Sequence, residues 1–143
     1  MIITAANWDS KRWPNFSPST DPMLACPRAG GVVAFDDRFL DLLQSVRVAL
    51  GRSMQITSGC RTTAHNDSIG GARSSLHICD VVRAGGQTGA LAVDIAAVDG
   101  QYRGDLFAAA WWVGLSIGWN AKRKFLHLDA RHLIGMPKIT FDY

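Results

Sequence analysis

The fold of this chain is indicated most clearly by the alternating stretch Lys124-Phe125-Leu126-His127-Leu128-Asp129. Successive side chains of a β-strand point to opposite faces, so a strand here carries His127 and Asp129 on one face and the leucines on the other. A polar pair backed by packed leucines is typical of a site built on a rigid sheet. A solvated strand face gives the same pattern, so further residues are needed to decide between the two.

A second strand is predicted over Leu91-Ala92-Val93-Asp94-Ile95-Ala96. Asp94 is the only charged residue of this stretch, and alternation places it on the face of Ala92 and Ala96. Small side chains on that face leave room for a ligand to approach. Because burying a lone carboxylate is costly, Asp94 needs a partner, which is either a metal ion or an arginine.

The rest of the pattern predicts a single small α+β domain over residues 1–143, an antiparallel sheet with flanking helices. One predicted element is a long loop that ends at about residue 76, and loops of this length are often functional. A helix is predicted over about residues 105–115, with Asp105 as its N-cap. The other predicted elements are an irregular N-terminal wrap over residues 1–31, a helix over about 36–50, a strand over 54–57 and a tail after residue 129.

Composition and charge exclude several classes of protein. The chain has 143 residues, 48% hydrophobic and 19% charged, which is typical of a globular domain with a real core. We expect no membrane insertion and no secretory signal peptide, because no apolar run approaches about 20 residues and no basic segment precedes one. The net charge of +3 is spread along the chain, which argues against nucleic-acid binding and suits an anionic polymer.

The three cysteines, Cys26, Cys60 and Cys79, are too few for a disulfide framework and form no C-x-x-C pair. They are interpreted as buried or half-buried thiols of a reducing compartment, with a single disulfide as the alternative.

Two of the four histidines, His77 and His127, combine with Asp94 into a chemically sensible zinc set. Three protein ligands leave the fourth zinc position for water, whose pKa falls to about 7 on the metal. Each of these residues alone is a weak signal.

A resemblance to a known family connects them. The run Ile56-Thr57-Ser58-Gly59-Cys60-Arg61-Thr62-Thr63-Ala64-His65-Asn66, followed by Gly70-Gly71-Ala72 and Ser75-Leu76-His77, resembles the zinc D-alanyl-D-alanine carboxypeptidases. That family includes many phage endolysins and has the hedgehog-type (LAS metallopeptidase) fold. The similarity extends to residues 92–95 and 125–129, so it covers nearly the whole chain.

The resemblance implies a role for each matching residue. His77, Asp94 and His127 correspond to the zinc ligands. Arg61 corresponds to the arginine that binds substrate and stabilises the oxyanion, a suitable task for a fixed cation. Ser75 corresponds to a serine that contacts the substrate or supports a ligand.

The sequence departs from the family pattern between the first two ligands. The family aspartate usually follows the first histidine by seven residues, whereas here the separation is seventeen. Residues 78–87 are therefore interpreted as an inserted loop beside the metal. Asp80 and Cys79 lie in this segment and are rival ligands to Asp94.

A second departure concerns the general base. Several family members carry an acid three residues before the last histidine, where this chain has Lys124. A peptidase needs a group that takes a proton from water and passes it to the leaving amine. Asp129 is the predicted catalytic group, with orientation of a histidine as its alternative role. His65 and His132 are further alternatives.

The predicted function is a zinc-dependent peptidase that hydrolyses peptidoglycan, as an endolysin-like endopeptidase or a D,D-carboxypeptidase, with zinc-bound water as nucleophile. Its predicted partners are stem or cross-link peptides, and we expect a monomer located in the infected host's cytoplasm before release to the wall, or on the virion. The alternative is a non-catalytic zinc-containing binding module of the same fold, which Lys124 favours. A nucleic-acid-binding domain rests on the basic charge alone.

Overall fold

The computed structural model describes residues 1–86 and 89–143, which form two sheets, three α-helices and short 3-10 turns. In chain order the strands and α-helices are β1 (Ile2–Ile3), β2 (Phe35–Asp36), α1 (Asp37–Leu50), β3 (Ile56–Ser58), α2 (Thr63–Ser68), β4 (Ala92–Ala96), α3 (Gly100–Val113), β5 (Ser116–Trp119), β6 (Phe125–Asp129) and β7 (Thr140–Asp142). The predicted α+β class is confirmed. No helix in the described part of the chain is long and apolar enough to cross a bilayer.

The larger sheet carries the site residues, with its strands in the order β3-β4-β6-β5-β7. Neighbouring strands are antiparallel except that β7 runs parallel to β5. The register of the central pair sets Asp94 on β4 directly opposite His127 on β6. Directly opposite residues in a sheet lie within side-chain reach, so pairing alone brings these two together.

The observed bounds of helix α1 agree with the predicted bounds to within one residue. The Asp36 side chain caps the helix by accepting from the backbone N of Arg38 at 2.9 Å. Its buried residues, Phe39, Leu40, Leu43 and Val46, recur at helical spacing and turn one face to the core. Gly51 ends the helix in the left-handed conformation, with φ of 68°.

Helix α3 begins five residues earlier than predicted, and the predicted cap was wrong. Asp99 is the N-cap, and its carboxylate accepts from the backbone N of Tyr102 at 2.8 Å. Asp105 lies inside the helix on its exposed surface, where it pairs with Arg52. Gly100 at the first helical position is a poor helix former and hid the true start in the sequence.

The long loop predicted before His77 contains α2, a helix of six residues. Its N-terminus is capped by the Thr62 hydroxyl and by the carboxylate of Asp80, which accepts from the backbone N of Thr63 at 2.8 Å. Asn66 of this helix is buried and donates to the carbonyl of Ala72 at 3.0 Å. A side chain at Gly71 would collide with the Asn66 amide, which explains a glycine there.

Four strands were absent from the sequence prediction: the short pair β1 and β2, and in the larger sheet β5 and β7, the latter in the predicted C-terminal tail. The predicted insertion over residues 78–87 is described as far as Gly86. Within it the Arg83 guanidinium donates to the backbone carbonyls of Ser75 and Gly89, at 3.1 and 3.0 Å. Gln87 lies outside the described residues.

The capping assignment of α3 gives a stability prediction. Asp99→Ala removes the acceptor for the Tyr102 N–H and should lower the free energy of unfolding by about 1 kcal/mol. The matched control Asp105→Ala breaks only an exposed ion pair and should change it by less than about 0.5 kcal/mol. Urea unfolding of both variants makes the comparison, and a larger loss for Asp105→Ala would show that the cap is misassigned.

Candidate metal centre

Three buried side chains, two from strands of the larger sheet and one from a loop, lie close together. Asp94 and His127 project from β4 and β6, and His77 projects from the segment that follows the glycine-rich loop. This segment is held by backbone pairing, because Arg61 N donates to the carbonyl of His77 at 2.9 Å. One ligand atom from each of the three residues lies within 4.8 Å of the other two. The structure therefore brings together the three residues predicted as ligands.

The hydrogen bonds of His77 determine which of its ring nitrogens is free. Nδ1 lies 2.7 Å from the carbonyl oxygen of Gly59. A carbonyl can only accept, so Nδ1 carries the proton and the Nε2 of the neutral ring keeps its lone pair. Nε2 faces Asp94 Oδ1 and His127 Nδ1, each at 3.2 Å.

His127 is fixed in the opposite tautomer by Asp129. Its Nε2 lies 2.9 Å from Asp129 Oδ2, and a carboxylate accepts, so Nε2 carries the proton. Its Nδ1 then presents a lone pair to Asp94 Oδ1 at 3.1 Å. Arg131 holds Asp129 in turn, donating from Nε at 2.9 Å and from Nη2 at 2.6 Å.

These contacts leave three acceptor atoms facing one another with no proton between them when both rings are neutral. Such an arrangement is repulsive unless a cation occupies its centre. Two imidazole nitrogens and a carboxylate oxygen are the donor set of catalytic zinc sites. Metal-bound histidines usually donate their other N–H to a carbonyl or carboxylate, as His77 and His127 both do. The residues present therefore fit a zinc ion.

The surroundings shift the three pKa values in different directions. Burial acts to raise the pKa of Asp94, but the interactions with His127 and His77 outweigh it and hold the pKa well below its usual range. Burial lowers the pKa of His77. Burial also acts to lower the pKa of His127, yet the hydrogen bond to Asp129 and the nearby carboxylate of Asp94 leave it raised. The cluster thus keeps an ionised carboxylate between two rings that differ in basicity.

The rival ligands Asp80 and Cys79 lie outside this cluster. Asp80 is exposed, and its carboxylate accepts from the backbone and hydroxyl of Thr63 at the start of α2. Cys79 is buried with its sulfur against Cys60. Neither residue turns its ligand atom toward His77 Nε2.

An open cleft of about 810 Å³ leads to Asp94 and His127. Three arginines line it: Arg61, Arg123 and Arg131. Asp94 and Asp129 are the carboxylates among its described lining residues. The predicted alternatives His65 and His132 are not among those lining residues. The described lining therefore carries three guanidinium groups and two buried carboxylates.

Arg61 is aimed at the cluster by two polar neighbours. Its Nη2 donates to Ser58 Oγ at 3.2 Å and its Nη1 to Asn66 Oδ1 at 3.4 Å. The same Nη2 lies 3.7 Å from Asp94 Oδ2. This position places a fixed cation beside the three acceptors and on the wall of the cleft. Ser75 also lines the cleft, and its hydroxyl accepts from the backbone N of His77 at 3.4 Å.

Asp129 is enclosed, with no exposed surface, and both of its oxygens are engaged by His127 or Arg131. Burial acts to raise its pKa, but hydrogen bonds from Arg131 and His127 outweigh this and keep it lowered. Of the two roles considered for Asp129, this geometry favours orientation of His127 over proton transfer to a substrate.

Two aromatic residues of the site were missed by the sequence analysis. Tyr143 stacks on the His127 ring with centroids 4.7 Å apart, and Phe141 meets the ring edge-on at 5.6 Å. The alternating stretch Thr140-Phe141-Asp142-Tyr143 was the available signal, because a strand there places both rings on one face. Together they form an apolar wall that confines the His127 ring.

Comparison with known proteins agrees with this geometry. The family model described as peptidase M15 matches residues 21–129, well over half of the 143 residues, and the match includes all three cluster residues and Arg61. No curated protein and no solved structure gives a match. The chain therefore belongs to the M15 family of peptidases, the family of D-alanyl-D-alanine carboxypeptidase-like enzymes.

Proposed function

We propose that this M15 peptidase is zinc-dependent and hydrolyses peptide bonds of bacterial peptidoglycan. The observation that carries the zinc proposal is the meeting of His77 Nε2, Asp94 Oδ1 and His127 Nδ1 within 3.1 to 3.2 Å of one another. Both histidines are locked in the tautomer that points a lone pair inward. Such an inward-facing set of lone pairs is the arrangement that a metal ion requires.

A zinc ion held by His77, Asp94 and His127 would supply Lewis-acid activation of the scissile carbonyl and of water. The remaining work falls to side chains of the cleft. Arg61 binds the carbonyl oxygen of the substrate and stabilises the negative charge that develops on it. Arg131 and Asp129 keep His127 from rotating, and Tyr143 and Phe141 exclude water from its ring face.

Peptidoglycan is supported by the charge of the cleft. A stem or cross-link peptide carries free carboxylates, which the guanidinium groups of Arg61 and Arg123 would attract. Arg131 is already paired with Asp129, so it contributes less. An endolysin-like endopeptidase and a D,D-carboxypeptidase both fit an open cleft of this kind. We further propose that the chain acts as a monomer, produced in the host cytoplasm before release to the wall or carried on the virion.

One observation favours a second candidate, a non-catalytic zinc-containing module that binds wall peptides. Asp94 and Asp129, the carboxylates among the described cleft residues, are both engaged. Lys124 stands where family members carry an acid. A module of this kind would bind zinc and wall peptides but leave every peptide bond intact.

The first test is digestion of purified peptidoglycan with mass analysis of the products. We expect cleavage at a stem or cross-link peptide bond and about one zinc per chain. His127→Ala should lose the zinc and lower the rate by about three orders of magnitude or more. His132→Ala alters an exposed histidine outside the cleft and should keep the zinc and the cleavage rate of the unaltered chain.

Far-ultraviolet circular dichroism checks that the His127→Ala chain is folded. Undiminished cleavage by a folded, zinc-free His127→Ala protein would contradict the proposal. Bound zinc without any cleavage by the unaltered chain would instead support the binding module.

Asp129→Asn tests the orienting role of this carboxylate. The amide can no longer fix the His127 tautomer as a charged acceptor, so zinc affinity should fall by about 10- to 100-fold. Asp80→Asn is the matched control and should leave zinc affinity unchanged, because Asp80 caps α2. Competition with a chelating dye measures the zinc affinity of both variants. A greater loss of affinity in Asp80→Asn would reverse the ligand assignment.

Arg61→Lys tests the oxyanion role. Lysine keeps the charge but not the two-point hold on Ser58 and Asn66, so kcat should fall by about 10²-fold while zinc content stays the same. Arg52→Lys, on the exposed surface away from the cleft, serves as control. Unchanged kinetics in Arg61→Lys would exclude a specific role for the guanidinium.

A further inference from the structure

Cys60 and Cys79 lie side by side at the two ends of the segment that forms one wall of the cleft. Between them, Arg61 and Ile78 form a parallel bridge. Arg61 N donates to the carbonyl of His77 and Cys79 N to the carbonyl of Arg61, both at 2.9 Å. The two backbones are therefore held together next to the cysteines.

The two thiols are in direct contact. Cys60 Sγ and Cys79 Sγ are 2.7 Å apart, and the residues are 1% and 6% exposed. The third cysteine, Cys26, is also buried and lies against Thr62, with its sulfur 4.0 Å from the hydroxyl oxygen. Of the three possible pairs, the fold brings only this one into register through backbone pairing.

We propose that Cys60 and Cys79 are a redox-modification site, a dithiol that a disulfide oxidant converts into an intramolecular disulfide. One cysteine thiolate attacks the oxidant, forms a mixed disulfide and releases the first oxidant thiol. The second cysteine then displaces the other oxidant thiol. One Sγ–Sγ bond forms, the oxidant disulfide breaks, and its two halves take up the two electrons and two protons that the cysteines lose.

The disulfide closes a ring that contains functional residues near both of its ends. Arg61 follows Cys60 directly, and His77 lies two residues before Cys79. Gly59, whose carbonyl fixes the His77 ring, directly precedes Cys60. The cross-link therefore ties the oxyanion group and one metal ligand to a common anchor. Without a bound metal, the oxidised chain should hold this segment in place better than the reduced chain.

Cross-linking also restricts the unfolded chain, because a loop between positions 60 and 79 is closed before folding begins. Both effects act in the same direction, toward a more stable metal-free protein. This inference is independent of the proposed substrate, since neither effect requires peptide cleavage.

The test is refolding of the full chain in a buffer of reduced and oxidised glutathione, with the metal removed by chelator. Because the thiols are buried, refolding lets the native structure select the pair. We expect one free thiol per chain instead of three, a mass lower by about 2 Da, and a peptide map that joins Cys60 to Cys79. Thermal unfolding should show Tm raised by about 10 °C, reversed by dithiothreitol.

Alanine variants provide the matched controls. Cys26→Ala should oxidise as the unaltered chain does and leave no free thiol. Cys60→Ala and Cys79→Ala should each keep two free thiols and show no oxidant-dependent change in Tm. Three free thiols in the refolded unaltered chain, or a peptide map that joins Cys26 to either partner, would overturn the proposal.

Discussion

His77 Nε2, Asp94 Oδ1 and His127 Nδ1 meet inside the protein at separations of 3.1 to 3.2 Å, and none of them has a proton to offer the others when the rings are neutral. A cation bound between them relieves their mutual repulsion. Much of the surrounding structure serves to maintain this arrangement. The β4–β6 register sets two of the three atoms, and the carbonyl of Gly59 and the carboxylate of Asp129 fix the two tautomers.

The two histidines are supported in different ways. His127 lies on a central strand, gripped by Asp129 and covered by Tyr143. His77 lies on a loop, and its ring is fixed by a backbone segment at Gly59 that passes very close to Leu24. A Cβ at Gly59 would lie 2.7 Å from the carbonyl oxygen of Leu24, so only glycine lets the chain pass there while its own carbonyl reaches His77. The family motif around Gly59 and Arg61 is thus explained by packing as well as by chemistry.

Local patterns predicted the elements that local interactions stabilise. Helix α1 and the alternating strand with His127 could be assigned from spacing alone, and the family resemblance named the three residues that the structure brings together. The start of α3 was hidden by Gly100. Helix α2 depends partly on Asp80, which is distant in sequence. Strand β7 pairs with β5 although residues 120–139 separate the two strands along the chain. The enclosure of Asp129 by Arg131 likewise needs a three-dimensional arrangement that alternation along one strand cannot express.

Crystallography of the zinc-loaded protein can show whether these three atoms hold a metal. Diffraction data collected on both sides of the zinc absorption edge locate the metal independently of any assumption about its ligands. We expect one strong anomalous peak per chain, in contact with His77 Nε2, the Asp94 carboxylate and His127 Nδ1. A peak at Asp80 or Cys79, contact through His127 Nε2, or no peak at the cluster would contradict it.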